Sequence, residues 1–270
     1  MPPVKRSKQI QSVSIFLFVL ALTLGSSCSP AASELSVFAT AGAMPAVDEI
    51  CQEFEEQYEI KVQISYGGGG QILLAMIAAR TGDVFIAPEQ RFMEIAREKQ
   101  AIDPETVKSI AYMIPVIAVQ KGNPKNITAL ADLVRPGIRV AITWPETTLL
   151  GEYAPQIFQK AGLARAIDKN IVTQAARPDH LLTTLVMGQV DAVIIWHFYQ
   201  TLTLDKIEVI FLPPEQLTGI GKMKIAMSKY SQNIKSAQQF IDFVASSDGE
   251  AIFKKHGYFV DAGEVKKYWH

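Results

Sequence analysis

Short runs of β-branched and aromatic residues alternate along this chain with longer stretches whose apolar residues recur every three or four positions. The first kind of pattern predicts strands and the second predicts amphipathic helices. In the first half, strands are expected at Leu35–Ala39, Lys61–Tyr66, Val84–Ala87 and Ile114–Val119. Helices are expected from Met44 to Tyr58, Gln71 to Arg80 and Phe92 to Lys99, with a turn at Gly122-Asn123-Pro124. The second half repeats the grammar, with strands at Ile138–Ile142, Ile171–Thr173, Ala192–Trp196, Val209–Leu212 and Lys224–Met227. Helices are expected there at Tyr153–Ala161, His180–Met187, Ser236–Ser246 and Gly249–Lys255. No repeat, heptad or low-complexity tract interrupts this alternation, which argues for an α/β fold of parallel-rich sheets with helices on their faces.

Ligands of such sheets sit beyond the carboxyl ends of the strands, where helices begin. Four loops fit that description: Thr40-Ala41-Gly42-Ala43, Gly67-Gly68-Gly69-Gly70-Gln71, Trp144-Pro145-Glu146-Thr147-Thr148 and Trp196-His197-Phe198-Tyr199. The four consecutive glycines are the most informative. Without side chains, successive amide N–H groups can point into one concavity, and a helix start adds unpaired donors and partial positive charge. Such a turn can hold an anion without a basic side chain. It is not a nucleotide fingerprint: no Lys-Ser/Thr follows, and the G-x-G-x-x-G spacing is absent.

Composition narrows the reading. Of 270 residues, 49% are apolar and 20% charged, too hydrophobic for a disordered chain. A formal charge of −1 lacks the basic footprint of a nucleic-acid binder. Lys5, Arg6 and Lys8 precede the apolar stretch Ile10–Leu24 and the small residues Gly25-Ser26-Ser27-Cys28, the plan of a secretory signal. Leu24–Cys28 resembles a bacterial lipobox, in which the cysteine becomes the lipidated first residue; the alternative is ordinary cleavage near Pro30-Ala31-Ala32. Residues 1–28 are thus expected to be a lipoprotein-type signal, residues 29–33 a linker, and the protein exported, anchored at Cys28 or free on the outer face. Losing residues 1–28 removes three cations and no anions, leaving 23 basic against 27 acidic side chains, a charge of −4. The other cysteine, Cys51, falls on the apolar face of a predicted helix and reads as a small buried hydrophobe.

Catalytic patterns are absent: no G-x-S-x-G, H-E-x-x-H or C-x-x-C occurs. His180, His197, His256 and His270 are scattered. A His180/His197 pair with Glu89 or Glu146 is the nearest approach to a metal site, and no local spacing supports it. No cofactor is expected.

Several stretches taken together resemble the molybdate-binding periplasmic proteins, the substrate-binding subunits of oxyanion ABC importers. They are Val37-Phe38-Ala39-Thr40-Ala41-Gly42, the glycine loop, Ile77–Ala87, Ala101-Ile102-Asp103, and Ala251–Tyr258 with its Gly257-Tyr258 end. The resemblance implies a two-lobe periplasmic binding protein of type II whose chain crosses twice between lobes. Those crossings would fall near Ile114–Val119 and Gly221–Ala226, giving lobe I as 34–115 plus 225–270 and lobe II as 116–224. It also implies a tetrahedral dianion held by neutral donors, namely two serine hydroxyls, backbone amides and a tyrosine hydroxyl. Here Gly42, Gly69 and Trp196 stand where those hydroxyls are expected, and Leu150 and His180 stand near positions that supply amides. Thr40, Gln71, the Trp196 indole, His197 and Tyr199 are the available substitutes, and Glu146 joins them from the third loop. The expectation is a monomeric, non-catalytic receptor that closes over a small oxyanion and delivers it to a membrane permease. The same fold binding a metal or another anion, and a secreted enzyme, are the alternatives.

Overall fold

In a computed structural model of the chain, residues 34–203 and 205–269 are described; Cys28 and the expected export segment and linker lie outside them, as does His270. The chain begins with strand β1 (Glu34–Thr40), helix α1 (Met44–Tyr58), β2 (Lys61–Gly67), α2 (Gly69–Ala79), β3 (Val84–Ala87) and α3 (Gln90–Glu98). It continues through β4 (Lys108–Met113), β5 (Pro115–Gln120), β6 (Val140–Thr143), α4 (Leu149–Lys160), α5 (Ala164–Ile167) and β7 (Ile171–Ala175). Then come α6 (Pro178–Val186), β8 (Ala192–Trp196), α7 (Tyr199–Leu202), β9 (Ile207–Phe211), β10 (Gly221–Met227), α8 (Ile234–Val244), α9 (Ser247–Lys255) and α10 (Ala262–Val265). None of the helices described is long and apolar enough to cross a membrane.

The strands form two five-stranded sheets of the same plan, β2-β1-β3-β10-β4 and β7-β6-β8-β5-β9. In each, the first three strands are parallel, joined by helices as the alternation predicts. The remaining pairings are antiparallel: β10 with β3 and β4, β5 with β8 and β9. The reason is the crossing. A chain arriving from the other sheet enters at the edge where the parallel strands end, so its first strand runs away from that edge. The sheets are therefore mixed, each with two parallel and two antiparallel pairings. The outward crossing is a single residue, Ile114, between β4 and β5. The return lies in 212–220, before the expected Gly221–Ala226, because all of β10 is already paired in the first sheet.

Both faces of the first sheet are covered, so β3 reads as a continuous apolar run and β1 is buried at every position from Val37 to Thr40. On one face Phe54 of α1 meets Phe240 of α8 edge-on at 5.0 Å, and Cys51 is buried beside it. Burial pushes the Cys51 thiol up, out of the range where it would react. On the other face α2 and α3 pack through Leu73, Met76 and Phe92 against Phe38 and Phe85. Asp83, also buried, ties the layers by accepting from the Ser36 N–H at 2.8 Å and the Ser231 hydroxyl at 2.7 Å.

Candidate functional site

Because β1, β2, β3, β6 and β8 all end toward the crossings, the residues after them meet in one cleft of ≈ 680 Å³ between the two sheets. Thr40, Gly42 and Gly67–Gln71 line it from the first sheet, and Glu146–Thr148, Arg177, Asp179 and Trp196 from the second. Thr40, Gly42, Gly69, Gly70, Gln71, Glu146, Trp196 and Tyr199, all singled out in the sequence, thus line the one cleft.

The glycine turn forms as a helix start. Gly68 is extended at φ −66°, ψ 151°, and the first helical bond runs from the Ile72 N–H to the Gly68 carbonyl at 2.8 Å. The N–H groups of Gly69, Gly70 and Gln71 therefore precede the hydrogen-bonded ladder and have no acceptor among the described residues. Gly69 is dictated by contact: a Cβ there would stand 2.5 Å from the Phe92 ring and 2.6 Å from Pro88 Cγ. A serine cannot be seated there without displacing both. Gly69→Ser is therefore expected to destabilise the protein by about 1–3 kcal/mol through overpacking and to distort the turn. Denaturant titration of the variant checks this; wild-type stability would contradict the packing described.

Gly42 is different. The nearest atoms to a Cβ there would be Tyr199 Oη at 3.8 Å and Thr40 Oγ1 at 3.9 Å, so the space that a larger side chain would use is flanked by two other hydroxyls. Thr40 and Tyr199 are 5% and 6% exposed, both line the cleft, and neither hydroxyl bonds to another described residue. Tyr199 is held by a column of rings: it stacks on Phe198 at 4.4 Å, and Phe198 stacks on Tyr258 at 4.3 Å. Tyr258 in turn donates its hydroxyl to the Gly42 carbonyl at 3.2 Å. Burial raises the Tyr199 phenol, so it stays protonated and able to donate.

Three expected site residues lie elsewhere. Leu150 is fully buried inside α4 and does not line the cleft. His180 is exposed in the first turn of α6; its neighbours Arg177, Pro178 and Asp179 face the cleft instead. His197 is buried away from the cleft lining and stacked on Phe259 at 4.5 Å. There it clamps the outward crossing. Its ring Nδ1 accepts from the Ile114 N–H at 3.0 Å, and the His197 backbone N–H donates to the Ile114 carbonyl at 3.0 Å. Burial lowers its pKa to about 4, so it stays neutral. The two histidines do not meet, and the described residues contain no group of three side chains able to hold a metal ion.

One segment was not foreseen as a wall of the cleft. Pro88–Arg91, after β3, obeys the same strand-end rule as the four chosen loops, and it bridges the two sheets. Glu89, 4% exposed, accepts the Leu149 N–H at 2.9 Å through Oε2, thereby filling the start of α4 with the protein's own carboxylate. Burial pushes its pKa up to about 7. Gln90 takes the Lys222 N–H at 2.8 Å and donates to the Ile220 carbonyl at 3.2 Å. Arg91 pairs with Glu152, and across the cleft Arg177 pairs with Asp179 through two bonds of 2.9 Å. Both arginines that line the cleft are thus engaged by carboxylates.

Two lobes joined by two crossings, with strand ends and helix starts converging on the space between them, define a bilobal binding protein. The chain belongs to the bacterial extracellular solute-binding protein family, whose profile matches residues 35–259. It is 29% identical over 227 residues to a putative binding protein of Haemophilus influenzae, covering 84% of this chain and 91% of that one. It is 25% identical to the molybdate-binding protein ModA of Escherichia coli, covering 84% and 89%. The substrate-binding domain of a putative molybdenum ABC transporter from Clostridium difficile superposes with a TM-score of 0.73 at 22% identity, covering 85% and 99%. Sulfate-binding proteins are also among the curated relatives.

Proposed function

We propose that this protein is the extracytoplasmic receptor of an ABC importer and binds a small anion in the cleft between its lobes. The observation that carries the reading is the set of neutral donor residues lining that cleft: Gly69–Gln71, whose N–H groups precede the helical bonds, and the mostly buried Thr40 and Tyr199 with their unpaired hydroxyls. Thr40 and Tyr199 replace the hydroxyls that Gly42, Gly69 and Trp196 cannot supply. The relatives named for molybdate, and those named for sulfate, support an oxyanion head group without choosing among oxyanions. The role is delivery rather than catalysis, with a membrane permease as partner and the mature protein acting as a monomer, held outside the membrane by a lipid on Cys28.

Ligand contacts to both lobes supply the differential affinity that closes such a protein. An anion at 100 times its dissociation constant contributes about 2.7 kcal/mol to stability. In a domain of this size that raises the melting temperature by about 5–10 °C. Thermal-shift measurements with molybdate, tungstate, chromate, sulfate, phosphate and ethylphosphonate are expected to show such a rise for at least one. No rise with any of them at millimolar concentration contradicts the reading.

A further inference from the structure

The charges around the cleft do not suit a bare dianion. The charged residues lining it are Glu89, Arg91, Glu146, Arg177 and Asp179, three acids against two bases. Both guanidiniums are already paired, Arg91 with Glu152 and Arg177 with Asp179. Glu89 is the buried one. Its Oε2 receives the Leu149 N–H, while its Oε1 has no partner among the described residues. Glu89 lines the cleft, so this oxygen is open to whatever fills it, and a second anion beside it would be repelled. Pro88 abuts the glycine turn at Gly69, and Glu89, the next residue, lines the same cleft as that turn.

Size and lining point the same way. Four oxygens around one centre displace roughly three to four waters, about 100 Å³ at ≈ 30 Å³ each. The cleft is several times larger, in the range that accommodates organic ligands. Much of its wall is apolar: Met44, Phe92, Met113, Trp196, Phe198 and Met223.

Resting on the anion-receptor reading, we propose that the ligand is a small organic zwitterion. Its anionic head takes the N–H groups of Gly69–Gln71 with the Thr40 and Tyr199 hydroxyls, its protonated amine takes Glu89 Oε1, and its carbon body lies on the apolar wall. The amine supplies the donor that Glu89 lacks and cancels the charge that a bare oxyanion would add.

The test is calorimetric titration of the purified protein at pH 8, pairing 2-aminoethylphosphonate with ethylphosphonate and 4-aminobutylphosphonate with butylphosphonate, and including molybdate. At least one amine is expected to bind about tenfold or more tighter than its desamino partner, the equivalent of one charge-assisted hydrogen bond. Glu89→Gln is expected to erase that preference and to tighten the desamino compound, since a carboxylate facing an anion is removed. Repeating the wild-type titration at pH 5.5, where Glu89 is protonated, is expected to shrink the ratio without any substitution. Equal or tighter binding of the desamino compounds, or an amine preference that survives Glu89→Gln, overturns the proposal. If molybdate or the desamino phosphonates bind and the amines gain nothing, the zwitterion falls while the anion receptor stands. If no probe binds, both fall.

Discussion

Replacing Thr40 by Val and Tyr199 by Phe together is expected to weaken binding of the anionic ligand by at least about 100-fold. A hydrogen bond to a charged group contributes about 1.5–3 kcal/mol, and each 1.4 kcal/mol is a factor of ten, so the two losses reach that figure at the lower bound. The same double variant is expected to fold with wild-type stability. Neither hydroxyl has a partner among the described residues, so removing both strands no donor and leaves no acceptor unmet. Val preserves the shape of Thr40, and Phe keeps Tyr199 in its stack on Phe198. The separation between affinity and stability is the informative part. Calorimetry for the first and a urea titration for the second check it. An affinity loss under about threefold, or a fall in stability matching the loss in affinity, would place these hydroxyls in the scaffold rather than the site.

Stability should also fall as pH rises through neutrality, and Glu89 is the reason. Its carboxyl titrates at about 7 in the folded protein against an ordinary 4.5. Burial is the largest cause and Glu152 adds to it, while the Leu149 N–H and Arg91 oppose it. A folded pKa above the unfolded one means that the folded state binds the extra proton between those values. This contribution is complete below about 4.5 and is lost as pH rises through 7, levelling above it. With 1.36 kcal/mol per unit, the full span is on the order of 3 kcal/mol. His197 acts in the opposite sense at lower pH. Its folded value of about 4 lies below the ordinary 6.5, so its contribution is present above 6.5 and lost as pH falls toward 4. The two overlap in acid, so the clean comparison is wild type against Glu89→Gln from pH 5 to 8.5. The gap between their melting temperatures is expected to change progressively with pH and to flatten above about 8. Parallel curves would contradict the burial of an ionisable Glu89 between the lobes.

Much of the scaffold was legible because its residues obey period rules. Ala192–Trp196 is fully buried on both faces and reads as an unbroken apolar run, and its bounds agree with the structure. Helix α1 likewise runs Met44–Tyr58 as its spacing predicts. The failures are of two kinds. Strand β4 was missed because Lys108–Met113 opens on two polar residues and continues almost directly into β5. No local feature announces that the chain changes sheets at Ile114. The start of α4 was placed four residues late because Gly151 weakens the helical pattern, although Thr148 caps it by accepting the Gly151 N–H at 2.9 Å.

The candidate site divides in the same way. The strand-end rule places Thr40, Gly42, the glycine turn, Glu146 and Trp196 on one cleft, because that rule depends only on topology. It does not say which way a side chain turns after the strand ends. His197 follows Trp196 directly yet faces Phe259 and the crossing, whereas Tyr199, two residues further on, returns to the cleft. It also applied to Pro88-Glu89 after β3, where neither a glycine nor a tryptophan drew notice. The role of Glu89 depends on Leu149, sixty residues away in the other lobe.

The most direct measurement is a crystal structure of the protein with its tightest-binding anion. The account predicts the anionic head within about 2.7–3.2 Å of the Gly69–Gln71 nitrogens, Thr40 Oγ1 and Tyr199 Oη. A head group held instead by the Arg91 or Arg177 guanidinium, with those neutral donors left facing solvent, would contradict it.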